Sequence, residues 1–363
     1  MMSLRLLLVS DAVGGVWTYS LELARALEPL RITTILAVTG PSPSPEQRQA
    51  AGGIRLIDTR LPLEWLDTSE SQIARAGEEL QRIAEREGAD VVQTSSAALL
   101  AGAAFDRPCV AVQHSCVTTW WDAVKDGPLP RDFEWRRDLV KRGLERADTI
   151  VAPTHAFADA TRDAYALDRP LVAVHNGRTT RELGPLPQGD FVFTAGRLWD
   201  EGKNVATLDW AAARIDAPFQ AAGPAHGPNG ASVALDHLLT LGDLSQDRIA
   251  GLLAARPIYA SAALYEPFGL SVLEAAQAGC ALVLSDIPTH RELWDGAAIF
   301  VEASDDGAFA AAIMQLFADR GRRNELGKRA RERARSYVPE RMAAAMAEIY
   351  GRVTQPQLIA GAA

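Results

Sequence analysis

Cysteine is scarce. Cys109, Cys116 and Cys280 are the only three in 363 residues, and they offer neither a paired disulfide framework nor the CxxC spacing of a zinc site. A reducing compartment is the simplest reading, and cysteine-based metal binding is not expected. Long apolar runs are also missing: no stretch reaches the roughly 18 uninterrupted apolar residues that a membrane-spanning helix needs. The apolar run at 6–9 stops at Ser10-Asp11, short of the core of a secretory signal, so cytoplasmic residence is the expectation. An excess of positive charge is lacking as well. The net charge is −9, and both halves are acidic, with 20 Lys+Arg against 24 Asp+Glu up to Arg178 and 17 against 22 beyond it. That balance argues against nucleic acid as the main partner.

What is present is an ordinary globular composition, 48% hydrophobic and 23% charged, over a length that suits two domains better than one. Apolar runs of strand length alternate with longer segments of helical period, the pattern of parallel sheets with crossover helices, so the fold class is α/β. Strands are expected at 5–10, 33–38, 54–58, 91–94, 110–113, 149–152 and 171–175, with helices at 16–28, 69–87, 131–146 and 155–164. A polar stretch from Asn176 to Gly189 reads as an interdomain linker. The pattern then restarts, with strands at 191–195, 219–222, 257–260 and 281–285 and helices at 306–319, 321–336 and 340–353. No internal repeat is visible. Two Rossmann-like, doubly wound domains in tandem follow, with ligands expected at the carboxyl ends of the strands and the active site in the cleft between the domains.

The motifs fall just after strands. In Tyr265-Glu-Pro-Phe-Gly-Leu-Ser-Val-Leu-Glu274, Pro267 ends strand geometry and Gly269 permits close backbone approach, so a helix is expected to begin near Leu270. The free N–H groups of Gly269, Leu270 and Ser271 and the helix dipole would bind a diphosphate. Glu266 and Glu274 would flank it, each able to accept hydrogen bonds from hydroxyls; surface carboxylates at a helix start are the competing reading. Gly196-Arg-Leu-Trp-Asp-Glu-Gly-Lys-Asn204 puts the cations Arg197 and Lys203 on a glycine-bounded loop, where they can stabilise charge on a leaving diphosphate.

Near the N-terminus, Gly14-Gly15 follows the first strand, but its spacing is not GxGxxG, which disfavours a nicotinamide site. His114 follows the fifth expected strand and is a candidate for the reacting centre. His175, His226, His237 and His290 have no supporting motif, His155 sits at an expected helix start, and all five read as structural. Trp120, Trp121 and Trp135, with the basic residues of 131–146, suggest either an acceptor surface or a solvated helix held by its own ion pairs. No Asp-x-Asp pair is present to hold Mg²⁺ beside phosphates.

Glu266-x7-Glu274 with Pro-Phe-Gly inside it, the Gly-Arg…Lys-Asn segment and the N-terminal Gly-Gly together resemble the signature of the family 4 retaining glycosyltransferases of the GT-B fold, over nearly the whole chain. The resemblance implies an N-terminal acceptor domain at 1–178, a donor domain at 179–339, and a C-terminal segment, 340–363, returning to the first. It implies that Arg197 and Lys203 contact the diphosphate, that Glu266 binds the donor sugar and Glu274 the ribose, that Gly14 and Gly15 approach the donor phosphates, and that His114 serves the reacting centre. A hexose would pass from a nucleotide-sugar to a carbohydrate or lipid-linked hydroxyl acceptor with retention, and with no metal or other cofactor. A sugar-nucleotide epimerase of the same architecture and a non-catalytic nucleotide-sugar-binding protein are the rivals. Peripheral contact with the inner face of a membrane, and a monomer or a homodimer, stay open. Two features depart from the pattern: Tyr337-Val-Pro precedes the final helix, and the stretch 205–240 is short.

Overall fold

The computed structural model describes residues 4–65, 68–181, 183–184, 186–227 and 230–355. They form two compact units. One comprises the chain up to Thr119, Gly127–Gly177 and the chain from Pro339 on; the other comprises Trp120–Asp126 and Arg178–Val338.

The first unit is built on strands β1 (Leu4–Asp11), β2 (Ile32–Thr39), β3 (Arg55–Asp58), β4 (Val91–Thr94), β5 (Cys109–Val112), β6 (Thr149–Ala152) and β7 (Val172–Ala173). All pair in parallel, in the order β3-β2-β1-β4-β5-β6-β7. Its chain also forms helices α1 (Gly15–Leu27), α2 (Pro45–Ala50), α3 (Glu70–Glu87), α4 (Val117–Val124), α5 (Arg131–Arg146) and α6 (His155–Tyr165), with α4 passing into the second unit at Trp120. Both faces of the sheet are covered, which is why residues 6–9 of β1 are apolar without alternation. Leu7 and Val9 pack into a core with residues of α3 and α5, while Leu6 and Leu8 pack on the other face against Trp17, Leu21 and Leu23 of α1. Each such fully buried side chain contributes about 1.5–3 kcal/mol.

The second unit carries strands β8 (Val192–Ala195), β9 (Phe219–Ala222), β10 (Leu239–Thr240), β11 (Ile258–Ser261), β12 (Ala281–Ser285) and β13 (Ala298–Val301), again all parallel, in the order β10-β9-β8-β11-β12-β13. Helices α7 (Val205–Ala212), α8 (Gln246–Ala254), α9 (Leu270–Ala278), α10 (Pro288–Trp294), α11 (Asp306–Ala318) and α12 (Arg320–Ala334) cover it. The last helix, α13 (Pro339–Thr354), returns to the first unit, where Met342, Met346, Ile349 and Tyr350 are buried with Trp17 and Tyr19 of α1. The Tyr350 hydroxyl donates to Gln93 at the end of β4.

Every strand and helix expected from periodicity is present, with small shifts that have local causes. Strand β11 starts at Ile258 rather than Pro257, because proline has no N–H to give the ladder. Helix α12 starts at Arg320, capped by the Asp319 carboxylate, and α13 starts at Pro339, a residue suited to the first helical position. The strand expected at 171–175 shrinks to Val172–Ala173. Helices α2, α4, α7, α8 and α10 were not expected; at six to nine residues they are too short to establish a helical period.

Candidate active site

Strand order reverses between β8 and β11, and an open α/β sheet binds its ligand outside the carboxyl ends of the strands at such a point. The loops leaving these two strands carry the motifs. They are joined by their backbones, since the Leu264 and Tyr265 amides donate to Gly202 O at 2.9 and 3.1 Å. Asn204 adds a side-chain clamp: its Nδ2 donates to Ala262 O at 3.1 Å and Ala303 O at 2.8 Å, and its Oδ1 accepts from Thr207. Its φ of 49° lies in the left-handed region, which asparagine tolerates better than most residues.

Two ion pairs occupy this end of the sheet. Lys203 Nζ lies 2.5 Å from Glu266 Oε2, and Arg197 Nη2 lies 2.8 Å from Asp200 Oδ2. The other Asp200 oxygen accepts from Gly202 N and from Trp120 Nε1, both at 3.0 Å. Burial alone would raise the Asp200 carboxyl, but the charges of Arg197 and Lys203 and the two N–H donors outweigh it and hold the group below its ordinary value. Arg197 itself remains 44% exposed.

Helix α9 opens where the motif requires. Gly269 is its N-cap with φ 84°, and a Cβ there would sit 3.2 Å from both Glu266 Cγ and Val272 Cγ2. The first-turn N–H groups, including those of Leu270 and Ser271, have no helix carbonyl before them and, with the helix dipole, suit an anion. Phe268 fixes the loop by packing edge-on against Tyr337, which in turn packs edge-on against Trp294. Tyr337 thus serves this loop from its place ahead of α13. Helix α10 supports Glu266, whose carbonyl accepts from Thr289 Oγ1 at 2.7 Å; His290 beside it is buried, with Nδ1 bonded to Ser285 and Nε2 without a hydrogen-bond partner among the described residues. Glu274, a turn into α9, accepts from Arg178 Nε at 2.7 Å.

In the first unit, Gly14 caps α1 with φ 63°, Gly15 begins the helix, and Asp11 Oδ1 accepts from Val13 N at 2.7 Å to shape the turn. His114 follows β5. Its ring stands edge-on to Tyr19 at 4.3 Å, and its Nε2 is buried with no hydrogen-bond partner among the described residues. Burial lowers its pKa to about 4, so the imidazole is neutral near pH 7. The structure therefore brings Arg197, Lys203, Glu266, Gly269, Leu270, Ser271 and Glu274 to one end of the second sheet, and Gly14, Gly15 and His114 to the same end of the first.

Trp120 and Trp121 lie in the second unit and Trp135 in the first. Trp120 bonds to Asp200 within the second unit, whereas Trp135 packs on the core of the first with Arg136 over its ring at 4.4 Å. Helix α5 carries its own pairs, Lys141–Glu145 and Arg137–Asp138, as a solvated helix does.

A family model described as Glycosyltransferase Family 4 matches residues 13–182, and one described as Glycosyl transferases group 1 matches residues 232–333. The chain belongs to the family 4 glycosyltransferases. Among its relatives, alpha-maltose-1-phosphate synthase of Mycolicibacterium smegmatis is 27% identical over 76% of this chain and 82% of that protein. D-inositol 3-phosphate glycosyltransferase of Xylanimonas cellulosilytica is 26% identical over 94% and 92%. Sucrose-phosphate synthase from Thermosynechococcus elongatus has the same fold, with a TM-score of 0.80 at 18% identity over 96% of this chain and 99% of that one. Anabaena HepE, solved in complex with UDP-glucose, gives 0.73 at 16% over 96% and 99%. The fold is the two-domain GT-B fold, and the protein is a transferase of carbohydrate biosynthesis. Among the described residues no helix is long and apolar enough to cross a membrane.

Four residues that hold this end of the second sheet together were not read in that role from the sequence. Asp200 and Asn204 lay inside the quoted segment, and Asp200 gave a usable signal as an N-cap two residues before a glycine. No local signal ties Trp120 or Arg178 to their partners, which lie 80 and 96 residues away in sequence.

Proposed function

We propose that the enzyme moves a hexose from a nucleotide-sugar donor to a hydroxyl acceptor, with retention of anomeric configuration and without a metal ion. The observation that carries this reading is the Lys203–Glu266 pair set beside the open N-terminus of α9 at the switch point of the second sheet. The second unit is the donor domain and the first the acceptor domain. Lys203, Arg197 and the helix terminus take up charge on the departing diphosphate, so no Mg²⁺ is needed there. Glu266 accepts from a donor-sugar hydroxyl and Glu274 from the ribose. Gly14 and Gly15 let the backbone approach the donor phosphates. Neutral His114 offers its Nε2 to a sugar hydroxyl. The anomeric C–O bond to the diphosphate breaks, the acceptor oxygen bonds to that carbon on the same face, and the acceptor proton passes to the departing phosphate oxygen. HepE, solved with UDP-glucose, supports a nucleotide-sugar as donor.

The test is nucleotide release from UDP-, GDP- and ADP-glucose, with and without EDTA and a panel of glycan, glycolipid and small-molecule acceptors. The anomer of the product is read by proton NMR. EDTA-insensitive release with an α-configured product is expected. Conversion of the donor sugar without an acceptor would mark an epimerase, and an inverted product would overturn the retaining step.

A further inference from the structure

The mechanism above leaves Arg178 unused. It is the first residue of the second unit and lies in a stretch without helix or strand, yet it is only 7% exposed. Helix α9 holds it twice. Arg178 Nε donates to Glu274 Oε1 at 2.7 Å, and Gln277 Nε2, three residues further along the same helix, donates to Arg178 O at 2.7 Å. From α8, Gln246 Oε1 accepts from Arg178 Nη2 at 3.1 Å and from Arg181 Nη2 at 2.9 Å. A guanidinium is a planar fork with donors in fixed directions, so an arginine anchored at backbone and head dictates where the bonded carboxylate points. Only one oxygen of Glu274 is engaged, and Oε2 accepts no hydrogen bond from a described residue.

We infer that Arg178 is a positioning residue for the nucleoside end of the donor: it holds Oε1 of Glu274 so that Oε2 is presented to the ribose hydroxyls. This rests on the reading of Glu274 as the ribose acceptor. It makes Arg178 a determinant of preference for ribose over deoxyribose rather than a pin for the crossover segment.

The experiment is calorimetric titration of the full chain with UDP, GDP and ADP. Failure of all three overturns the donor-site reading and the role of Arg178 with it. The diphosphate that binds is then compared with its 2′,3′-dideoxy form on wild type, Arg178→Met and Arg178→Lys. Loss of a hydrogen-bonded carboxylate's alignment should weaken the ribose form by roughly tenfold or more in Arg178→Met. The dideoxy form should stay within about twofold, because it has no hydroxyls for Glu274 to hold. Arg178→Lys keeps the charge without the fork and should show a smaller loss confined to the ribose form; it carries the same comparison where the methionine variant does not fold. Equal weakening of both forms, or none in either, overturns the proposal while leaving the donor site standing.

Discussion

Lys203 and Glu266 meet at 2.5 Å across the strand-order reversal of the second sheet, the cation from the loop after β8 and the carboxylate from the loop after β11. Their side chains are 21% and 11% exposed, so each compensates the other where solvent screens poorly. On the proposed donor-site reading, a diphosphate at this end of the sheet would exchange one anionic partner of Lys203 for another without leaving the ammonium bare.

Lys203→Ala should therefore lower turnover by about 10²–10³, the range for removing one donor to a developing oxyanion. Steady-state nucleotide release on the preferred donor checks it. Turnover within a few-fold of wild type would remove Lys203 from the chemistry.

Asp200 should prove as necessary as the cations it orients. Asp200→Asn keeps the size but loses the charge that holds Arg197, so the donor KM should rise. The carboxyl is held below its ordinary value in the folded protein, so its stabilising effect is complete above the unfolded pKa of about 4 and is lost as pH falls further. Melting curves of wild type and the variant should differ at pH 7 and converge below pH 4.

Much of this was legible beforehand because it is local. Glu266, Gly269 and Glu274 share one loop and helix, and a Pro-x-Gly break followed by an apolar helical period announces where that helix starts. For the same reason the alternation of strands and helices showed all seven strands of the first sheet and four of the six in the second, where β10 and β13 were not expected. What stayed hidden depends on contacts between distant segments. Arg178 sits in a polar stretch that reads as a linker, and only the return of α9 beside it shows it to be buried. Trp120 reads locally as one aromatic residue among basic neighbours, and the bond from its indole N–H to Asp200, 80 residues on, has no local sign.

His114 should leave a signature in acid. It is buried and neutral with its pKa lowered to about 4, while in the unfolded chain it titrates near 6.5. Between those values the unfolded state binds the extra proton, so folding stability falls as pH drops, by a total on the order of 3 kcal/mol. His114→Gln should lose less stability than wild type between pH 7 and pH 4.5 in chemical denaturation. Buried His290 acts in the same direction and cancels in the comparison. Parallel curves would show that His114 is not held neutral.

Gly269→Ala should damage both fold and site. The left-handed φ of 84° costs a residue with a Cβ about 1–2 kcal/mol, and the new methyl would press on Glu266 Cγ at 3.2 Å. A lowered Tm together with a turnover loss larger than the stability change explains is expected. Normal turnover at a lowered Tm would mean that Glu266 need not be held so closely.

The most direct test of the donor site is thermal denaturation of wild type and Lys203→Ala with UDP-, GDP- and ADP-sugars, each measured against its own ligand-free baseline. One sugar nucleotide should stabilise the wild type, by about 2.7 kcal/mol at 100 times its Kd, and the variant should lose most of that shift. No stabilisation by any of them, or an equal shift in the variant, would contradict the assignment of this end of the second sheet as the donor site.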